Sequence, residues 1–88
     1  MSIYPTWKGL PVIPTKSALN ELIKYYMDLE DVVKILELGH VSRKRKKGTI
    51  EKCLNRKDEV IKVVVVQSYN YSLKIDCWVI KHVGVYKR

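Results

Sequence analysis

Four consecutive valines, Val63, Val64, Val65 and Val66, complete a β-branched run that starts at Val60 and is interrupted only by Lys62. β-Branched side chains lose rotamer freedom in a helix and fit a pleated surface. A run of this length between Arg56-Lys57-Asp58 and Tyr69-Asn70-Tyr71 therefore predicts a strand. Ile61, Val63 and Val65 point to one of its faces, and Val60, Val64 and Val66 to the other. Both faces then need cover, which a central strand obtains best. The rest of the chain is read as what pairs with this strand or packs on it.

Upstream, residues 1–16 hold Tyr4-Pro5, Leu10-Pro11 and Ile13-Pro14. Three prolines in so short a stretch exclude a helix and predict an extended N-terminal arm. Trp7, Leu10, Val12 and Ile13 give the arm enough apolar surface to dock on a single domain over 17–88, with at most a short edge strand. Trp7 is expected to pack there, with base stacking as the alternative. Ser17 suits the N-cap of a first helix, in which Leu19, Leu22, Ile23 and Tyr26 recur at the spacing of one buried stripe. Asp28 supplies a second N-cap, Glu30 and Asp31 favour the positive end of the helix dipole, and Leu29, Val32, Val33 and Leu36 form the next stripe. Gly39 is expected to end that helix in a left-handed conformation.

After Gly39 the hydrophobic period falls to two. Strands are predicted over 40–47, 49–55, 59–67 and 73–83, with turns at Gly48, 55–58 and 69–71. In the last strand Trp78, Ile80, His82 and Gly84 share one face, and Cys77, Val79, Lys81 and Val83 the other. Tyr86, Lys87 and Arg88 are either a frayed end or part of a basic surface. Short connections imply antiparallel neighbours. The expected fold is α+β, two short N-terminal helices packed on a four-stranded antiparallel meander sheet.

A chain of 88 residues makes one domain with a small core. No stretch reaches the roughly 20 apolar residues of a membrane span, and the N-terminus lacks the pattern of a secretion signal, so a cytoplasmic protein without membrane attachment is expected. The net charge of +8 is unevenly placed: residues 1–39 carry four lysines against five acids, and residues 40–88 carry thirteen Lys plus Arg against four acids. A surface of that sign suits a polyanion such as RNA or DNA, through release of condensed counterions.

The densest charge is Ser42-Arg43-Lys44-Arg45-Lys46-Lys47. On a strand Arg43, Arg45 and Lys47 would project to one side and Lys44 and Lys46 to the other, so the segment must be an edge or a loop. Edge lysines also guard a sheet against aggregation, and that reading stays open. Lys52, Arg56 and Lys57 extend the patch beyond what edge protection needs, which favours a phosphate-binding surface. Tyr69 and Tyr71 are either strand-end residues or platforms for unpaired bases. His40 and His82 alone titrate near neutrality unperturbed and are the general acid or base candidates. Cys53 and Cys77 have no CxxC spacing and read as buried free thiols. With His40 and His82 they make a ligand set without metal-site spacing, so no metal and no cofactor is expected.

Tyr26-Met27-Asp28-Leu29-Glu30-Asp31-Val32 stands in the place of an Arg-Gly-Ile-Ser-x-x-Asp-Val-type helix junction. Together with the helix end at Leu36 to Gly39, the basic first strand and the Val-rich third strand, it makes residues 17–83 resemble the small domain of unknown function DUF4258. That family is similar to the RelE/BrnT toxin superfamily. The family's early helical histidine and its arginine before the junction are replaced here within residues 17–19 and at Tyr25 or Tyr26. The resemblance implies a RelE-like fold, RNA favoured over DNA, and an antitoxin-like protein partner. It further implies cleavage without a metal by strand-borne basic residues and a C-terminal tyrosine, for which Arg45, Lys47, Lys52, His82 and Tyr86 are the candidates. Charge alone leaves two other readings, a non-catalytic nucleic-acid binder and an interaction module for an acidic partner.

Overall fold

The computed structural model describes residues 4–43 and 46–87, the side chain of Arg43 excepted. The elements are β1 (Thr6–Trp7), β2 (Leu10–Pro14), α1 (Lys16–Lys24), α2 (Leu29–Leu38), β3 (His40–Arg43), β4 (Thr49–Arg56), β5 (Glu59–Asn70) and β6 (Ile75–Lys87). The strands form one sheet in the order β1-β2-β6-β5-β4-β3. All pairs are antiparallel except β2 with β6, which is parallel through Val12↔Trp78, Ile13↔Val79 and Pro14↔Ile80.

The α+β class holds, but the four-stranded antiparallel meander does not. The segment expected as an arm contributes two of six strands and makes the sheet mixed. β2 pairs with β1 through Leu10 and Pro11 and with β6 through Val12, Ile13 and Pro14. The prolines therefore fall at the ends of the paired segments, where a missing N–H is tolerated. Trp7 seals the junction. Its ring lies 5.0 Å from that of Trp78, and its carbonyl accepts a 3.1 Å bond from Trp78 Nε1.

The valine strand is β5, interior between β6 and β4. Ile61, Val63 and Val65 pack with Ile80 and Val83 of β6 against Ala18 and Leu22 of α1 and Val32, Ile35 and Leu36 of α2. Burying each such side chain contributes roughly 1.5–3 kcal/mol. β5 runs on to Asn70, and β6 runs to Lys87, so residues 84–87 pair with β5 and are not a frayed end. Val64 pairs with His82 and Val65 with Ile80, leaving Lys81 as a bulge. The bulge resets the alternation, so that Val83 joins Ile80 and Trp78 in the core in place of His82.

Both helix starts are capped by side chains. The first N-cap is Thr15, two residues before the expected Ser17: its Oγ1 accepts from Ala18 N at 3.1 Å and donates to the Ile80 carbonyl at 3.0 Å, tying α1 to β6. The buried face of α1 holds Ala18 and Leu22, and Leu19, Ile23 and Tyr26 are exposed. The second N-cap is Asp28 as expected, in a reciprocal capping box with Asp31. Gly39 ends α2 in an extended conformation (φ −74°, ψ 172°) instead of a left-handed one. It is needed for close approach: a Cβ there would lie 2.5 Å from the Ile35 carbonyl oxygen and 2.6 Å from that of Cys53. No described helix is long and apolar enough to cross a membrane.

Candidate nucleic-acid interface

The face of the sheet turned away from α1 and α2 carries a row of polar side chains that crosses four strands. On β4, Glu51 is 2% exposed. A carboxylate so placed needs partners, and it has Ser42 of β3, whose Oγ donates to Oε2 at 2.7 Å, and Lys62 of β5, whose Nζ lies 3.9 Å from the same oxygen. Lys62 also sits 5.2 Å from the centre of the Tyr86 ring on β6, a cation–π distance. Tyr86 in turn reaches His82, with Oη 3.4 Å from Nε2.

Glycine makes that last contact possible. Tyr86 folds back over Gly84, where a Cβ would stand 2.8 Å from the phenol oxygen. The other ring nitrogen of His82, Nδ1, is 3.2 Å from Glu21 Oε1 of α1. The same oxygen accepts from Val83 N at 3.3 Å, so the carboxylate is fixed between helix and strand. In the neutral ring, a proton on Nδ1 shared with Glu21 would leave the lone pair of Nε2 turned toward Tyr86. The side chain of His82 is 43% exposed and Tyr86 is 47% exposed, so a ligand can reach both. At 3.4 Å the His–Tyr contact is long for a hydrogen bond to a hydroxyl.

The structure thus brings His82 and Tyr86 together and, among the described residues, keeps the other candidates apart from them. Lys46 and Lys47 are exposed on the β3–β4 turn, while Arg56 and Lys57 are exposed on the β4–β5 turn. These turns lie at opposite ends of β4, about 24 Å apart for eight extended residues. They flank the polar row and do not merge into one patch. Arg56 and Lys57 line, with Asp58 and Glu59, a depression of about 450 Å³. Lys52 faces the helices: its Nζ donates to the Leu36 carbonyl at 2.8 Å and lies 5.5 Å from the Trp7 ring centre. It caps the C-terminal end of α2, away from the polar row. Arg43 belongs to β3, paired with Glu51. Lys44 and Arg45 lie outside the described residues, and β3 ends at Arg43, short of the expected Lys47. Tyr69 and Tyr71 stand at the far end of the β5–β6 hairpin, rings 5.0 Å apart and edge to face.

His40 of β3 pairs with Cys53, and both cysteines are buried free thiols. Burial, and secondarily the carboxylate of Asp76, pushes the Cys77 thiol up. Among the described residues no three His, Cys, Asp or Glu side chains come close enough to hold a metal ion. Sequence reasoning missed Glu21, Ser42, Glu51, Lys62 and Gly84. Two signals for them existed: Lys62 is the one charge within the Val60–Val66 run, and Gly84 stands two residues before Tyr86 and two after His82 on a strand where glycine is otherwise unfavourable. No family model, curated protein or solved structure matches the chain.

Proposed function

We propose that this protein binds RNA across the polar face of the sheet and cleaves it without a metal at His82 and Tyr86. The observation that carries the reading is the Glu21–His82–Tyr86 array, an acid–base pair reachable from solvent with its tautomer held by a carboxylate. Basic turns at both ends of β4 supply phosphate contacts along a strand laid over that face, and Lys62 supplies a cation beside the array. The resemblance of residues 17–83 to DUF4258, a family itself similar to the RelE/BrnT toxins, is what favours RNA as the polymer.

The chemistry is transfer of the phosphoryl group to the neighbouring 2′-hydroxyl. His82 Nε2 takes the 2′-hydroxyl proton as that oxygen bonds to phosphorus. The phosphorus–O5′ bond breaks, Tyr86 Oη gives its proton to O5′, and the imidazolium of His82 returns one to Tyr86. The products are a 2′,3′-cyclic phosphate and a 5′-hydroxyl. Glu21 stabilises the transient imidazolium, and the Lys62 ammonium offsets charge on the phosphate oxygens.

The test is incubation of the purified protein with end-labelled single-stranded RNA in EDTA across a salt series. Fragments ending in a cyclic phosphate are expected, with a rate roughly 10²–10⁴-fold lower for His82→Gln and for Tyr86→Phe. Intact RNA held in a salt-sensitive way would reduce the protein to a binder. No retention and no cleavage would remove RNA altogether and point to an acidic protein partner.

A further inference from the structure

We infer that the projecting end of the β5–β6 hairpin is a self-association surface, covered in solution by a second copy of this chain. β4 accompanies β5 only as far as Val66, with one further bond from Gln67 N to the Gly48 carbonyl at 2.8 Å, and β2 joins β6 only from Trp78 onward. Beyond those points Ser68, Tyr69 and Asn70 pair with Cys77, Asp76 and Ile75 and with no other described strand. A two-stranded ribbon is marginal on its own and needs something to pack on.

This ribbon is nevertheless built and preset. The Leu73 N–H donates to Asn70 Oδ1 at 2.8 Å to fix the turn, Lys74 closes it in the left-handed region (φ 57°), and Tyr69 and Tyr71 are locked edge to face. It also presents most of its apolar surface to solvent, with Tyr69 45%, Tyr71 85%, Leu73 45% and Ile75 44% exposed.

Charge selects the occupant. Between residues 68 and 77 the only charged side chains are Lys74 and Asp76, so the segment is neutral in a chain of net +8. A polyanion gains nothing there, which argues against the tyrosines as a platform for bases. The repulsion that keeps two +8 chains apart is weakest at this end. A two-fold contact is also self-complementary, because Lys74 of each copy can meet Asp76 of the other. Only the ten residues 68–77 form this end, a small surface beside the roughly 800 Å² per partner of a tight complex, so a concentration-dependent dimer is expected.

Sedimentation of the full chain over a concentration series tests this. The average mass should rise toward twice the monomer. Tyr71→Asp and Ile75→Asp, which alter exposed side chains only, should each weaken the dimer roughly tenfold or more. Lys74→Glu should weaken it too, and adding Asp76→Lys to that variant should restore it. A monomer at every concentration, or a dimer indifferent to Tyr71→Asp, overturns the proposal. So does a loss of RNA retention in Tyr71→Ala with no change in mass, which would return the tyrosines to base stacking. The outcome is independent of whether His82 and Tyr86 cleave RNA.

Discussion

The phenol of Tyr86 occupies the space that a side chain at Gly84 would need, with Oη 2.8 Å from the position of a Cβ. The contact involves the far end of a flexible side chain and no backbone, so Gly84→Ala can be absorbed by swinging the ring away. The strand should lose little, within about 1 kcal/mol by thermal unfolding. Cleavage should fall as far as in Tyr86→Phe, because the ring can no longer meet His82. Equal activity of Gly84→Ala and wild type would show that the His82–Tyr86 contact plays no part.

Gly39 presents the opposite case. There a Cβ meets two backbone carbonyl oxygens, of Ile35 and Cys53, in the helix end and in β4. Neither can rotate out of the way. Gly39→Ala should cost about 2–4 kcal/mol, measured by denaturant unfolding, as backbone-level overpacking does. A smaller loss would mean that α2 and β4 part more easily than their packing suggests.

What the chain revealed of itself follows the range of the interactions. The valine run predicted β5, and Asp28 with Asp31 predicted the start of α2, because strand propensity and capping act within a few residues. The parallel pairing of β2 with β6 joins residues more than sixty positions apart, which no local pattern encodes. The prolines pointed the other way, since placement at the ends of paired segments is visible only once the partners are known. The α1 stripe failed for a related reason: which face of the helix is buried depends on how it docks on the sheet, and Thr15 ties α1 to Ile80, sixty-five residues away in the sequence. At the site, His82 and Tyr86 were nameable, but not their meeting, which depends on a ring folding over Gly84. Lys52 looked like one more cation until the sheet turned it toward Leu36.

That position makes Lys52 a probe that separates stability from binding. Its Nζ donates to the last turn of α2 and lies over Trp7. Lys52→Met keeps the stem and loses the bond, and should cost about 1–2 kcal/mol. The salt dependence of RNA retention should be unchanged, whereas Lys47→Ala should reduce the slope by about 0.7, the loss of one phosphate contact on a single strand. An equal drop in slope for Lys52→Met would place Lys52 at the interface after all.

Cys77 reports on the fold through pH. Burial and, less, Asp76 raise its thiol pKa in the folded chain. A group whose pKa is raised by folding contributes stability that is complete below its unfolded pKa and disappears as pH rises through the folded one. The window therefore opens above the thiol's ordinary value of 9.0. Above that value the wild type should lose stability faster with rising pH than Cys77→Ala, and Cys77 should react with iodoacetamide more slowly than a free thiol. Parallel pH profiles for the two proteins would contradict this.

Tyr26 gives the last prediction, because it sits between the helices in a conformation that L side chains avoid. Its φ is +56°, and it is 97% exposed, so no packing compensates for the strain. The left-handed region costs a residue with a Cβ roughly 1–2 kcal/mol relative to its preferred geometry, a cost that glycine escapes. Glycine also gains freedom in the unfolded chain, which offsets part of the relief. Tyr26→Gly should therefore stabilise the protein modestly, by about 0.5–1 kcal/mol. The backbone bond from Met27 N to the Leu22 carbonyl, at 2.8 Å, leaves the junction itself intact. A loss of stability on this change would mean that the phenol ring has a partner in solution, and the exposed side of α1, with Leu19 and Ile23 beside it, is where that partner would lie.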